Sequence, residues 1–212
     1  MKRILIAVAV LVAAAVPAAQ AAKPAPKNVT IGATPTTIKF GNSATLSGKL
    51  TGANNANRPV TVEQDPFPVD TFLPAGNTTT NASGDWTFGV KPTANTRYRA
   101  RSGNAESKTV DVLVRPAIRL RLSDRTPAKG QLVRFFGRLC PEHDGMRVAL
   151  QRRFGHQWRT LRSPELKDIP GSTCSKYSKR LRVRRDSAYR TRFLGDADHA
   201  AGNSRVRVAR VH

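Results

Sequence analysis

The chain has 212 residues, with 36 Lys and Arg against 14 Asp and Glu, for a formal net charge of +22. Apolar residues make up 39%, alongside 15 Gly and 14 Pro, a balance that excludes collagen and low-complexity polymers and fits an ordinary globular chain. Two Cys and four His leave little material for a metal cluster or a redox centre, so no metal and no cofactor is expected.

Met1-Lys2-Arg3, the apolar run over residues 4–16 and the small-residue ending Ala19-Gln20-Ala21-Ala22 form the three regions of a cleaved signal peptide over residues 1–22. The run is shorter than the roughly 20 residues of a membrane span. With no second such run downstream, the mature chain is expected to lack a transmembrane segment and to be secreted or associated with the cell envelope. Residues 23–27, with two prolines between lysines, read as an extended tether.

Beyond the tether the chain matches itself at an offset of about 89 residues. Val29, Ile31 and Gly41 recur as Ile118, Leu120 and Gly130, and residues 44–50 fall on residues 133–139. Trp86 falls on Tyr177, and Tyr98-Arg99-Ala100-Arg101 on Tyr189-Arg190-Thr191-Arg192. The match divides the chain into two copies of one unit, residues 28–115 and 116–212. Within each copy the apolar period is two, the signal of a half-buried strand. Ile118, Leu120 and Leu122 alternate with Arg119 and Arg121, and Val206 and Val208 with Arg205 and Arg207. Turn clusters such as Gly52-Ala53-Asn54-Asn55 punctuate the runs. The fold class is therefore all-β, with about seven short strands per copy arranged as an antiparallel β-sandwich.

Several motifs carry a resemblance to a known family. Each copy has a Gly before its second strand (Gly41, Gly130) and Ser47-Gly48 or Phe136-Gly137 within it. The first copy also has Gly84-Asp85-Trp86-Thr87-Phe88, where the second has Ser175-Lys176-Tyr177. Thr96-Arg97-Tyr98 and its partner Ser187-Ala188-Tyr189 complete the set. Each copy thus resembles the bacterial immunoglobulin-like (Ig-like) repeat found in tandem in exported and surface proteins. The resemblance implies two tandem sandwiches after the leader and no shared active site. Tyr98 and Tyr189, at the start of the sixth strand, are expected in the core, as is Trp86, with a tyrosine hydroxyl bonding back to nearby backbone. Trp158 is expected on a strand flanking the third. In Ig-like topology the second and fifth strands are antiparallel neighbours, which sets Cys140 beside Cys174. An exported chain meets an oxidising compartment, so a disulfide between them is expected.

Catalytic signatures are missing. Ser43 and Leu50 stand where a phosphate-cradling loop around Gly48-Lys49 needs its first Gly and its Ser or Thr, and no nucleophile elbow or zinc-helix motif occurs. His143, His156, His199 and His212 follow no metal spacing, and Asp196-Ala197-Asp198-His199 has too few carboxylates for a calcium loop. No enzyme activity is expected.

Charge is uneven. Residues 23–115 carry 11 basic and 6 acidic side chains, or +5, whereas residues 116–212 carry 23 and 8, or +15. Alternation points Arg180 and Arg182 outward from the fifth strand, Arg190 and Arg192 from the sixth, and Arg205 and Arg207 from the seventh. The last four are expected to form a guanidinium patch suited to polyanions. The expected function is non-catalytic: an exported Ig-like protein acting by surface contact at the envelope, on an anionic polymer or a surface protein. The alternative is a dedicated polyanion binder, for wall phosphate polymer, acidic polysaccharide or extracellular DNA, using the basic face of the second copy.

Overall fold

The structure, a computed structural model, describes residues 28–212. The leader and tether expected over residues 1–27 lie outside them. The described residues form strands and turns, with no helix among them.

The first half contains β1 (Asn28–Val29), β2 (Gly32–Thr34), β3 (Thr37–Lys39), β4 (Ala44–Thr51) and β5 (Pro59–Pro66). It continues with β6 (Leu73–Thr79), β7 (Asp85–Val90), β8 (Thr96–Ser102), β9 (Ala105–Glu106) and β10 (Val110–Arg115). Strand β4 is flanked by β7 on one side and by β1 and β2 in succession on the other, while the facing sheet runs β3-β10-β8-β5-β6. All its pairings are antiparallel save β3 with β10, a parallel pair that alternation alone did not foretell.

The second half contains β11 (Ala117–Leu122), β12 (Gln131–Cys140), β13 (Ala149–Phe154) and β14 (Gln157–Arg162). After a long loop come β15 (Ser175–Val183), β16 (Ser187–Phe193), β17 (Gly202–Asn203) and β18 (Arg207–Ala209). One sheet runs β11-β12-β15, and the other β14-β13-β16, with β17 and β18 both paired to β16.

In each half the alternating apolar residues of both sheets meet in one core, a sandwich-like packing. The first core joins Leu46, Leu50 and Trp86 to Val60, Val62, Tyr98, Val112 and Val114. The second joins Leu120, Phe135, Leu139 and Tyr177 to Leu150, Tyr189 and Phe193. Trp86, Tyr98 and Tyr189 are each at most 2% exposed, as their placement in the core requires. The Phe135 and Tyr189 rings pack with centroids 4.6 Å apart.

A glycine opposite a buried aromatic recurs in both halves. Gly48 pairs in register with Trp86, and Gly137 with Tyr177. A Cβ on Gly48 would lie 1.9 Å from the Thr30 carbonyl oxygen, and one on Gly137 1.7 Å from that of Arg119. The first strand crosses so tightly there that only glycine fits. The tyrosine hydroxyl bonded back to backbone is that of Tyr177, which donates to Arg119 O at 2.9 Å and lies 2.7 Å from Thr191 Oγ1.

Cys140 and Cys174 are disulfide-bonded, 34 positions apart, joining the end of β12 to the start of β15. The two halves meet at a polar seam. The loop after β16 receives the Asn95 N–H at Asp198 O (2.8 Å) and sends the Ala200 N–H to Val114 O (2.8 Å). No helix among the described residues is long and apolar enough to cross a membrane.

Candidate anion-binding surface

The outer face of the β11-β12-β15 sheet collects the basic charge. Because Ile118, Leu120 and Leu139 turn inward, Arg119, Arg121 and Arg138 turn out. Strand register then decides which charges become neighbours. Arg119 lies opposite Arg138, Arg138 opposite Lys176, and Lys176 opposite Lys167 on the segment leading into β15. Four cations thus cross four adjacent backbones in one row, about 14 Å long at the usual strand spacing. Arg134 and Arg180 face each other further along the sheet, and the Arg134 guanidinium stacks on Phe136 at 4.4 Å. The row floors a groove of about 870 Å³, walled by Arg147 and Arg162; nine of its lining residues are cationic, and Glu165 is the one acidic residue.

This arrangement runs against stability. Like charges directly opposite each other destabilise a sheet; at about 6 Å in bulk water each pair costs about 0.7 kcal/mol. The first half treats its basic residues differently. Arg97 holds Asp65 and Asp70, and Arg99 and Arg101 both hold Glu106, at 3.0 and 2.9 Å. Hydrogen bonds to Asp65 and then Asp70 raise the Arg97 pKa above its ordinary value. Among the described residues no cation of the groove stands within ion-pairing distance of a carboxylate. Guanidinium groups left without an internal carboxylate suit phosphate, sulfate or carboxylate oxygens, which they bind in pairs of parallel hydrogen bonds.

The four arginines singled out by sequence lie on and beside the other sheet and do not form a free patch. Arg190 is half-buried: its Nε donates to Gln151 Oε1 at 2.8 Å and its guanidinium covers the Trp158 ring at 4.4 Å. Burial, and then the charge of Arg192, lower its pKa. Arg192 is also half-buried on β16, and Arg207 turns inward to donate from Nε to Leu120 O at 3.0 Å. Arg205 is exposed, between β17 and β18. Trp158 sits on β14 beside β13, as expected, with Arg190 covering one face of its ring.

A second constellation lies at the seam, where the sequence pointed to no metal. His143, from the loop after β12, meets Asp196, Asp198 and His199, from the loop after β16, with one ligand atom of each within 4.8 Å of the others. Burial, then the neighbouring Asp198, raises the Asp196 pKa. For Asp198 burial acts in the same sense but is outweighed by Asp196 and His199, which hold its carboxyl below the ordinary value.

No family model matches the chain, and no curated protein matches it.

Proposed function

We propose that this chain is an exported, non-catalytic protein of two Ig-like sandwiches, residues 28–115 and 116–212, that binds an anionic polymer at the cell envelope through the second. The observation that carries the reading is the Arg119–Arg138–Lys176–Lys167 row, four like charges in direct register with no internal counterion. A sheet that only needed soluble side chains has no reason to align them, since interspersed signs give the same solubility without the repulsion. A linear polymer carrying phosphate, sulfate or carboxylate groups supplies the missing counterions and relieves the strain on binding. Recurrence of the glycine-aromatic pair, Gly48 with Trp86 and Gly137 with Tyr177, supports reading the two halves as copies of one Ig-like unit.

The test is retention on immobilised heparin, a sulfated polysaccharide. Replacing Arg119, Arg138 and Lys176 by Ser is expected to lower the eluting salt concentration substantially. Replacing Arg190, Arg192, Arg205 and Arg207 by Ser changes the net charge more and is expected to shift elution less. Equal shifts per charge removed would mean that net charge alone governs retention, and the groove would lose its role.

A further inference from the structure

We infer that His143, Asp196, Asp198 and His199 form a binding site for one divalent transition-metal ion of the zinc class, set where the two halves meet. The tautomers come first. His143 Nδ1 lies 2.9 Å from Pro141 O and His199 Nε2 lies 2.8 Å from Thr93 O. A carbonyl only accepts, so those nitrogens carry the hydrogens. In the neutral rings the lone pairs therefore sit on His143 Nε2 and His199 Nδ1. Both atoms are buried without a hydrogen-bond partner, in residues 7% and 3% exposed. An imidazole whose other nitrogen donates to a backbone carbonyl is the arrangement found at metal-ligating histidines, where that bond fixes ring orientation.

What the lone pairs face completes the set. His143 Nε2 is 3.2 Å from Asp196 Oδ2, and His199 Nδ1 is 3.4 Å from Asp198 Oδ1, neither with hydrogen-bonding geometry. Ligand atoms around a tetrahedral ion with bonds of about 2.0–2.2 Å stand about 3.3–3.6 Å apart. The two separations of 3.2 and 3.4 Å lie close to that range, and all four ligand atoms fall within 4.8 Å of one another. Two imidazoles and two carboxylates match the preference of zinc and its neighbours for mixed nitrogen and oxygen donors.

The supports are rigid. Cys140, disulfide-bonded to Cys174, opens the loop that carries His143, and the His143 N–H donates to Ser175 Oγ at 2.8 Å. Across the site, His199 N–H donates to Asp196 Oδ1 at 2.8 Å, leaving Oδ2 to the ion. The His143 ring packs edge-on against Phe193 and His199, each 4.8 Å away, which excludes water from one side. Because the His199 loop is hydrogen-bonded to Thr93, Asn95 and Val114 of the first half, an ion held here also pins the seam.

The experiment uses the untagged protein, stripped with a chelator and titrated with Zn²⁺ against a chromogenic competitor, then with Co²⁺ for its visible spectrum. The expected result is one Zn²⁺ per chain, a raised unfolding temperature with Zn²⁺, and the absorption bands of four-coordinate Co²⁺. The D196N/D198N variant, which keeps side-chain shape, is expected to weaken binding by more than about 10–100-fold, the loss seen for supporting residues alone. Substituting His156 and His212, or the exposed Glu142 and Asp168, is expected to change nothing. No stoichiometric binding, or binding that survives D196N/D198N, overturns the inference. Should that variant not fold, X-ray absorption at the zinc edge of the wild type decides: two imidazole ligands support the site, and none refutes it.

Discussion

Arg138 stands in the middle of the cationic row, between Arg119 and Lys176, so Arg138→Ser removes two repulsions at once. With charges about 6 Å apart each repulsion is worth about 0.7 kcal/mol in unscreened water. Screening lengths of about 30 Å near 10 mM salt and about 8 Å at physiological salt reduce the two together to about 1.1 and 0.6 kcal/mol. Losing the aliphatic stem at an exposed site takes back up to about 0.5 kcal/mol. The variant is therefore expected to exceed the wild type in stability by about 0.5–1 kcal/mol near 10 mM salt and to be nearly level with it at physiological salt. For units of this size that low-salt gain is a rise in Tm of about 2–8 °C. Calorimetry at the two salt concentrations reads it directly. In parallel, the slope of log affinity against log salt for a duplex DNA probe is expected to become shallower by about 1, because the variant neutralises one phosphate fewer. A variant less stable than wild type at low salt, with an unchanged slope, would mean that this row is neither strained nor turned toward an anion.

Three further outcomes follow from the fold. Replacing both Cys140 and Cys174 by Ser is expected to cost about 3–4 kcal/mol in denaturant unfolding, from the unfolded-state entropy of the opened loop; an unchanged midpoint would refute this. Gly137→Ala, whose Cβ would meet the Arg119 carbonyl oxygen, is expected to cost more than about 3 kcal/mol, while Gly155→Ala, with open space around it despite a positive φ, costs less. Burial pushes the Tyr98 phenol up to about 12 against a lesser opposing effect of Thr96, and burial pushes Tyr177 higher still. Both phenols stay neutral in the folded state while the unfolded chain ionises near pH 10, so stability is full below about pH 10 and falls as pH rises toward 12 and beyond. Ultraviolet titration of the folded protein showing Tyr98 and Tyr177 ionising near pH 10 would contradict it.

The strands are legible because a sandwich writes itself into sequence as alternation. Ile118-Arg119-Leu120-Arg121 names its own faces, and the repeat alone sets Gly48 and Gly137, Trp86 and Tyr177, at matching positions. The disulfide follows from strand adjacency in the resembled topology. Alternation says which side chains turn outward but not what each one meets. Arg190 has the same local signature as Arg138. Its partners Gln151 and Trp158 come from strands more than thirty positions earlier, whereas the cross-strand neighbours of Arg138 are further cations. Lys167 joins the row through an irregular segment with no strand pattern. The parallel β3–β10 pair depends on a three-residue strand too short to declare a partner. His143 and His199 escape notice in the sequence because they lie 56 positions apart in two loops, and neither spacing nor neighbouring residue type announces that both loops end at the same seam.

Anions are predicted to meet the protein on the β11-β12-β15 face. The most direct measurement is a two-dimensional amide NMR titration of the isotope-labelled protein with a short heparin oligosaccharide. Shift changes centred on Arg119, Arg138, Lys167 and Lys176, and abolished as salt is raised, are the predicted result. Changes centred instead on β16 to β18, or spread evenly over both halves, would contradict it.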